Sequence, residues 1–87
     1  MAAIDLFNYR VALMFFKTEH PILTGQVSLE TGFSLAKCEK YLSDLEEEGY
    51  IYKLDVKDLV ARKLDIRFSA WLPKIDRIKL LELHLLT

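Results

Sequence analysis

Apolar residues recur along this chain with two different periods, and the change from one to the other divides it into elements. From Ala2 to Lys17 no glycine or proline intervenes, and Ile4, Phe7, Val11, Met14 and Phe15 follow helical spacing, the signature of an amphipathic helix. The opposite side is apolar as well. Leu6, Tyr9, Leu13 and Phe16 form a second stripe, with Asp5, Asn8, Arg10 and Lys17 squeezed between the two. A helix apolar on two faces requires two apolar neighbours.

Thr18 to Pro21 reads as a loop, because His20 precedes a proline whose ring disfavours helical geometry in the residue before it. Thr24 is placed to cap a short helix, about Gly25 to Thr31. Gly32 ends that helix, since glycine alone enters the left-handed region without steric cost. Ser34 can cap a third helix, running to about Glu48, by accepting a bond from an orphaned N–H of the first turn. In that helix Cys38, Leu42 and Leu45 share one face with Leu35 at its edge, while Ala36, Lys37, Lys40, Ser43, Asp44 and Glu47 point the other way.

After Gly49 the period shortens to two. Tyr50 to Val56 alternates apolar with polar from Tyr52 onward, and Leu64 to Ser69 does the same, predicting two strands. The stretch between them, Lys57 to Lys63, is too long for a two-residue turn and too short for a parallel crossover, so the strands should pair antiparallel with an extended tip. Pro73 can occupy the first position of a last helix through Leu86, with Asp76 in its first turn. Ile75, Ile78, Leu81 and Leu85 line one side of that helix, and Leu80 and Leu83 leave the other side apolar too. The expected fold class is α+β, mainly α, in one domain spanning 1–87: three helices, a β-hairpin over about 50–69, and an additional C-terminal helix over about 73–86.

The turn chemistry between Val27 and Ile51 makes this order specific. A helix-turn-helix needs a small residue in its first helix, a glycine in the turn, an apolar residue after it and a capped second helix; Ser28, Gly32, Phe33 and Ser34 meet those demands in order. The 25-residue segment VSLETGFSLAKCEKYLSDLEEEGYI resembles the core of bacterial and archaeal winged helix-turn-helix transcription regulators, such as the multiple-antibiotic-resistance and arsenic-repressor types. The resemblance implies a helix-turn-helix over about 25–48 whose second helix enters the DNA major groove, and a hairpin wing that touches the flanking backbone. Carried over by position, the DNA contacts would be Ser34, Ala36, Lys37, Lys40 and Ser43 on the helix, with Lys57, Arg62 and Lys63 on the wing. Leu35 and Glu39 depart from the pattern, standing where a basic or polar contact residue and a small hydroxylated residue are frequent.

Composition modifies the picture in two ways. Hydrophobic residues make up 52% of the chain, a high share for so small a domain, so surplus apolar surface is expected to meet a partner. The implied partner is a second copy, paired through Leu6, Tyr9, Leu13 and Phe16 of the first helix and Ile78, Leu81 and Leu85 of the last. The net charge of -1 excludes a uniformly basic surface, so attraction to DNA must come from local clustering.

The expected function is sequence-specific double-stranded DNA binding by a homodimeric transcriptional regulator. The alternative, favoured by the net acidity, Leu35 and Glu39, is a protein-interaction adaptor docking a different chain through its apolar first and last helices.

Other chemistries find little support. Cys38 is the one cysteine, and at a core position a thiol behaves as a small hydrophobe. With no secretory leader read at the N-terminus, the expected compartment is the cytoplasm. The longest apolar run, Val11 to Phe16, is far too short to span a bilayer. His20 and His84 lie 64 positions apart without companion ligands, and Glu46, Glu47 and Glu48 read as a solvated helix end, so no metal or other cofactor is expected. No nucleophile and base, glycine-rich phosphate loop or carboxylate pair can be assembled; neither catalysis nor a small-molecule ligand is expected. Tyr50, Tyr52, Phe68 and Trp71 are expected to pack rather than to stack on bases.

Overall fold

The computed structural model describes residues 2–85. Its first helix, α1 (Ala3–Lys17), has no side-chain cap, but Asp5 in the first turn and Lys17 in the last complement the helix dipole. A two-residue strand, β1 (Ile22–Leu23), leads directly into α2 (Thr24–Thr31), and α3 (Leu35–Glu47) follows the Gly32 turn. Then come β2 (Ile51–Lys53), a helix α4 (Val56–Ala61), β3 (Ala70–Pro73) and α5 (Arg77–Leu83). The described residues thus form an α+β fold, mainly helical, with a small antiparallel sheet.

The last strand lies in the middle of that sheet, whose order is β1-β3-β2. Ile22 opposes Trp71 and Leu23 opposes Ala70 on one side; Ile51, Tyr52 and Lys53 oppose Pro73, Leu72 and Trp71 on the other. Proline, which cannot donate to a ladder, sits at the strand's end.

Several elements differ from the periodicity. The strand expected from Tyr50 to Val56 is β2 and stops at Lys53, because the Asp55 side chain accepts from Asp58 N at 2.8 Å and starts α4. What reads as the hairpin tip is therefore a helix turn, with Leu59 facing inward. The strand expected over Leu64 to Ser69 forms instead beyond it, as β3. In that stretch Asp65 folds the chain on itself, accepting from Arg67 N through its side chain and from Phe68 N through its carbonyl. Asp76 caps α5, accepting from Ile78 N and Lys79 N, so Pro73 belongs to β3 rather than to a helix start. The predicted helix end at Leu86 lies outside the described residues. Thr24 is the first residue of α2, not its cap, and its side chain is buried.

The core joins every layer. Phe7, Val11 and Phe15 of α1 meet Val27 of α2, Cys38, Leu42 and Leu45 of α3, Ile22, Ile51 and Trp71 of the sheet, and Leu80 of α5. A smaller cluster of Leu54, Leu59 and Ala70 supports the tip. α1 packs against α5 as well as α2 and α3.

Candidate nucleic-acid interface

The turn between α2 and α3 is held by side chains of the residues that span it. Gly32 has φ +77° and ψ +4° and donates its N–H to Ser28 O at 2.9 Å, the left-handed helix ending. Ser28 is more than a small residue here: its hydroxyl donates to Phe33 O at 2.6 Å, strapping the end of the turn back to α2. The Thr31 hydroxyl donates to Val27 O and accepts from Phe33 N. Phe33 stacks on Phe7 with ring centroids 5.6 Å apart, and Tyr41 meets both rings edge-on. The start of α3 is thereby fixed to α1.

Ser34 caps α3, its Oγ accepting from Lys37 N at 3.2 Å. The hydroxyl proton stays free to donate outward. Ala36, Lys40, Ser43 and Glu47 follow one another at i, i+4, i+7 and i+11 along the exposed face, flanked by Lys37, which is also exposed, and by half-buried Asp44. Lys37 Nζ lies 5.6 Å from the Phe33 ring centroid and Lys40 Nζ 5.7 Å from that of Tyr41. Such exposed contacts contribute about 0.5–1 kcal/mol, little enough for either lysine to swing onto an anion.

Two neighbours behave otherwise than their positions in the sequence imply. Leu35 does not join the core; at the first residue of α3 nothing covers it, and it stays 58% exposed. Glu39 turns inward instead of outward. Its Oε1 accepts from Thr24 Oγ1 at 2.9 Å, and that hydroxyl accepts from Trp71 Nε1 at 2.9 Å. The chain Trp71, Thr24, Glu39 ties the central strand through α2 to α3 and occupies the carboxylate that could otherwise have read a base.

The residues expected on the wing form a separate group. Lys57 is on α4, Arg62 is its C-cap, and Lys63 follows with φ +60°; all three are exposed. Residues 53–67 carry five basic and three acidic side chains, a local excess of positive charge that the chain as a whole lacks. Asp65 and Arg67 pair with each other at 2.7 Å, and the guanidinium lowers the pKa of the exposed Asp65 carboxyl. Between the α3 lysines and this group lies the acidic end of α3, where Glu46 Oε2 accepts from Lys53 N at 2.8 Å.

The expected dimer residues divide. Leu6, Tyr9 and Leu13 line a groove between α1 and α2, Phe16 is exposed beside them, and Ile78 and Leu85 are exposed on or just beyond α5. Leu81 is instead half-buried against the core, so it offers less surface than its spacing suggests. Sequence patterning also missed Leu29, 89% exposed on α2. The signal was present: Val27 and Leu29 are two positions apart on a helix, so both cannot face the core. Tyr52 and Phe68, expected to pack, are exposed, as are Val56, Val60 and Ile66 around the tip; Tyr52 lies on the solvent side of β2, opposite Leu72, whereas for the others helix α4 and the Asp65 turn stand where strands were expected.

Cys38 is fully buried, with Sγ 3.7 Å from Phe33 O, and burial raises its thiol pKa. His84 is the C-cap of α5, its Nδ1 2.9 Å from Leu80 O, and His20 is an exposed loop residue. Among the described residues no three histidine, cysteine, aspartate or glutamate side chains converge on a metal site, and no helix is long and apolar enough to cross a membrane. No family model, curated protein or solved structure matches the chain.

Proposed function

We propose that this chain is a winged helix-turn-helix domain that binds double-stranded DNA as a homodimer and regulates transcription by occupying its site. The observation that carries the proposal is the capped, solvent-facing start of α3. There the Ser34 hydroxyl, the positive end of a 13-residue helix, and Lys37 and Lys40 lie within two turns of one another, a combination suited to phosphate and guanine edges. The position of β1 ahead of α2, and of the β2–β3 pair after α3, agrees with a winged-helix arrangement. Lys57, Arg62 and Lys63 would then meet flanking phosphates, adding affinity without sequence information.

The charge along α3 sets the docking angle. Asp44, Glu46, Glu47 and Glu48 repel a polyanion, so the helix would enter the groove by its N-terminal half and leave it after Ser43. A twofold dimer would place two such helices about 34–36 Å apart, one duplex turn, and favour a near-palindromic site.

Duplex titration over a series of salt concentrations tests this. Binding should weaken steeply with salt, and Lys37→Ala with Lys40→Ala should weaken it further and reduce the salt slope by about 4, two lysines being lost from each protomer. Equal affinity and slope in the double variant would refute the assignment. Exposed Leu35 beside those lysines favours a second reading, a protein-docking adaptor; no duplex binding at low salt, with a partner lost on Leu35→Asp, would select it.

A further inference from the structure

The groove between α1 and α2 has a volume of about 770 Å³, with Leu6, Leu13 and Met14 of α1 on one wall and Leu29 of α2 on the other. Leu29 is also the most exposed large hydrophobic residue among those described, so an apolar projection stands at the edge of an apolar recess. This combination is self-complementary, as an isologous dimer requires, because under a twofold axis each copy presents both the knob and the hole. Groove charges point the same way. Lys17 and Glu30 line the same groove, and neither is in an ion pair among the described residues. The Arg10 guanidinium reaches only the main-chain oxygen of Glu30, at 3.1 Å. One face thus holds both signs of charge, unpaired, around an apolar centre.

We infer that this groove is the homodimer interface: Leu29 of each copy enters the partner's groove, and Lys17 of each meets the partner's Glu30. This rests on the homodimer in the proposed function but relocates its contact. Leu6, Tyr9 and Leu13 remain in it, whereas Ile78 and Leu85 on the α5 side stay outside.

Sedimentation equilibrium across a micromolar concentration range tests the inference. Leu29→Asp should weaken the dimer by about 30-fold or more, the loss expected of a central interface anchor. Its stability as a monomer should fall by no more than about 1 kcal/mol, the cost of an aspartate in the last turn of α2, because the side chain is already in water. Lys17→Glu and Glu30→Lys should each weaken the dimer, and the two together should restore it to within about threefold of the original, since a reversed pair keeps its attraction. A dimer that survives Leu29→Asp but dissociates on Ile78→Asp with Leu85→Asp would overturn this interface while leaving the homodimer standing. A concentration-independent monomer of the unaltered chain would overturn both.

Discussion

Thr24→Val changes one atom group in a buried site and removes the middle member of the Trp71, Thr24, Glu39 chain. The side-chain shape is kept and the hydroxyl is lost. Trp71 is fully buried, so its indole N–H would have no acceptor, at a cost of about 1–3 kcal/mol. Glu39 is only half-buried, and water can replace the donor it loses. The added methyl recovers up to about 0.8 kcal/mol of burial, leaving a net destabilisation centred on about 1 kcal/mol. That is a substantial part of the roughly 4–13 kcal/mol expected for a domain of this size, and it should lower the melting temperature by about 4–8 °C per kcal/mol.

Urea denaturation followed by circular dichroism provides the measurement, and a double-mutant cycle isolates the bond. In a Trp71→Phe background no indole N–H remains to be stranded, so Thr24→Val should cost much less there, with a coupling of about 1–2 kcal/mol between the two sites. Coupling below about 0.5 kcal/mol would show that the hydrogen bond between β3 and α2 contributes nothing to stability, and the account of how α3 is held to the sheet would fail.

Two left-handed residues should respond with opposite signs. Gly32→Ala meets open space but forces alanine to φ +77°, costing about 1 kcal/mol after the gain from a less flexible unfolded chain. Lys63→Gly relieves φ +60° and should stabilise by about 0.5 kcal/mol; chemical denaturation of both variants checks the signs. Ser34→Ala removes the α3 cap and should cost about 1 kcal/mol, so a melt unchanged by it would contradict the capping geometry. Burial raises the Cys38 pKa, so the native state holds its proton where the unfolded chain releases it. The contribution is intact below the unfolded value of ~8.5 and is lost as pH rises above it. Cys38→Ala should therefore flatten the alkaline decline in stability, and an unchanged pH profile would count against this.

The parts legible in the sequence are those specified by local chemistry. Gly32 and Ser34 mark a helix end and a helix start through backbone constraints that act within four residues, and both do so in the fold. The alternation through Leu54 and Val56 misled because an N-cap aspartate followed by Leu59 also satisfies it over so few residues. β1 has only two residues, below any period a pattern can reveal; its pairing comes from β3, far along the chain. At the candidate site, the exposed lysines followed from helical spacing alone. The inward turn of Glu39 did not, because its partners Thr24 and Trp71 are distant in sequence, and the Leu29 groove depends on how α1 and α2 cross.

The strand that occupies the centre of the sheet is the last of the three to be synthesised. Ile22 waits for Trp71, and Lys53 waits for the same residue. Until Ala70 to Pro73 arrives, neither outer strand has a partner, while the α2–α3 turn needs only its own residues and α1. Both pairings of β3 close long loops, so these non-local contacts should make folding slower than that of a purely helical domain of the same size. A chain ending before Ala70 would keep its helix-turn-helix sequence but lack the Trp71 anchor of α3, so this small domain stakes its completion on its final third.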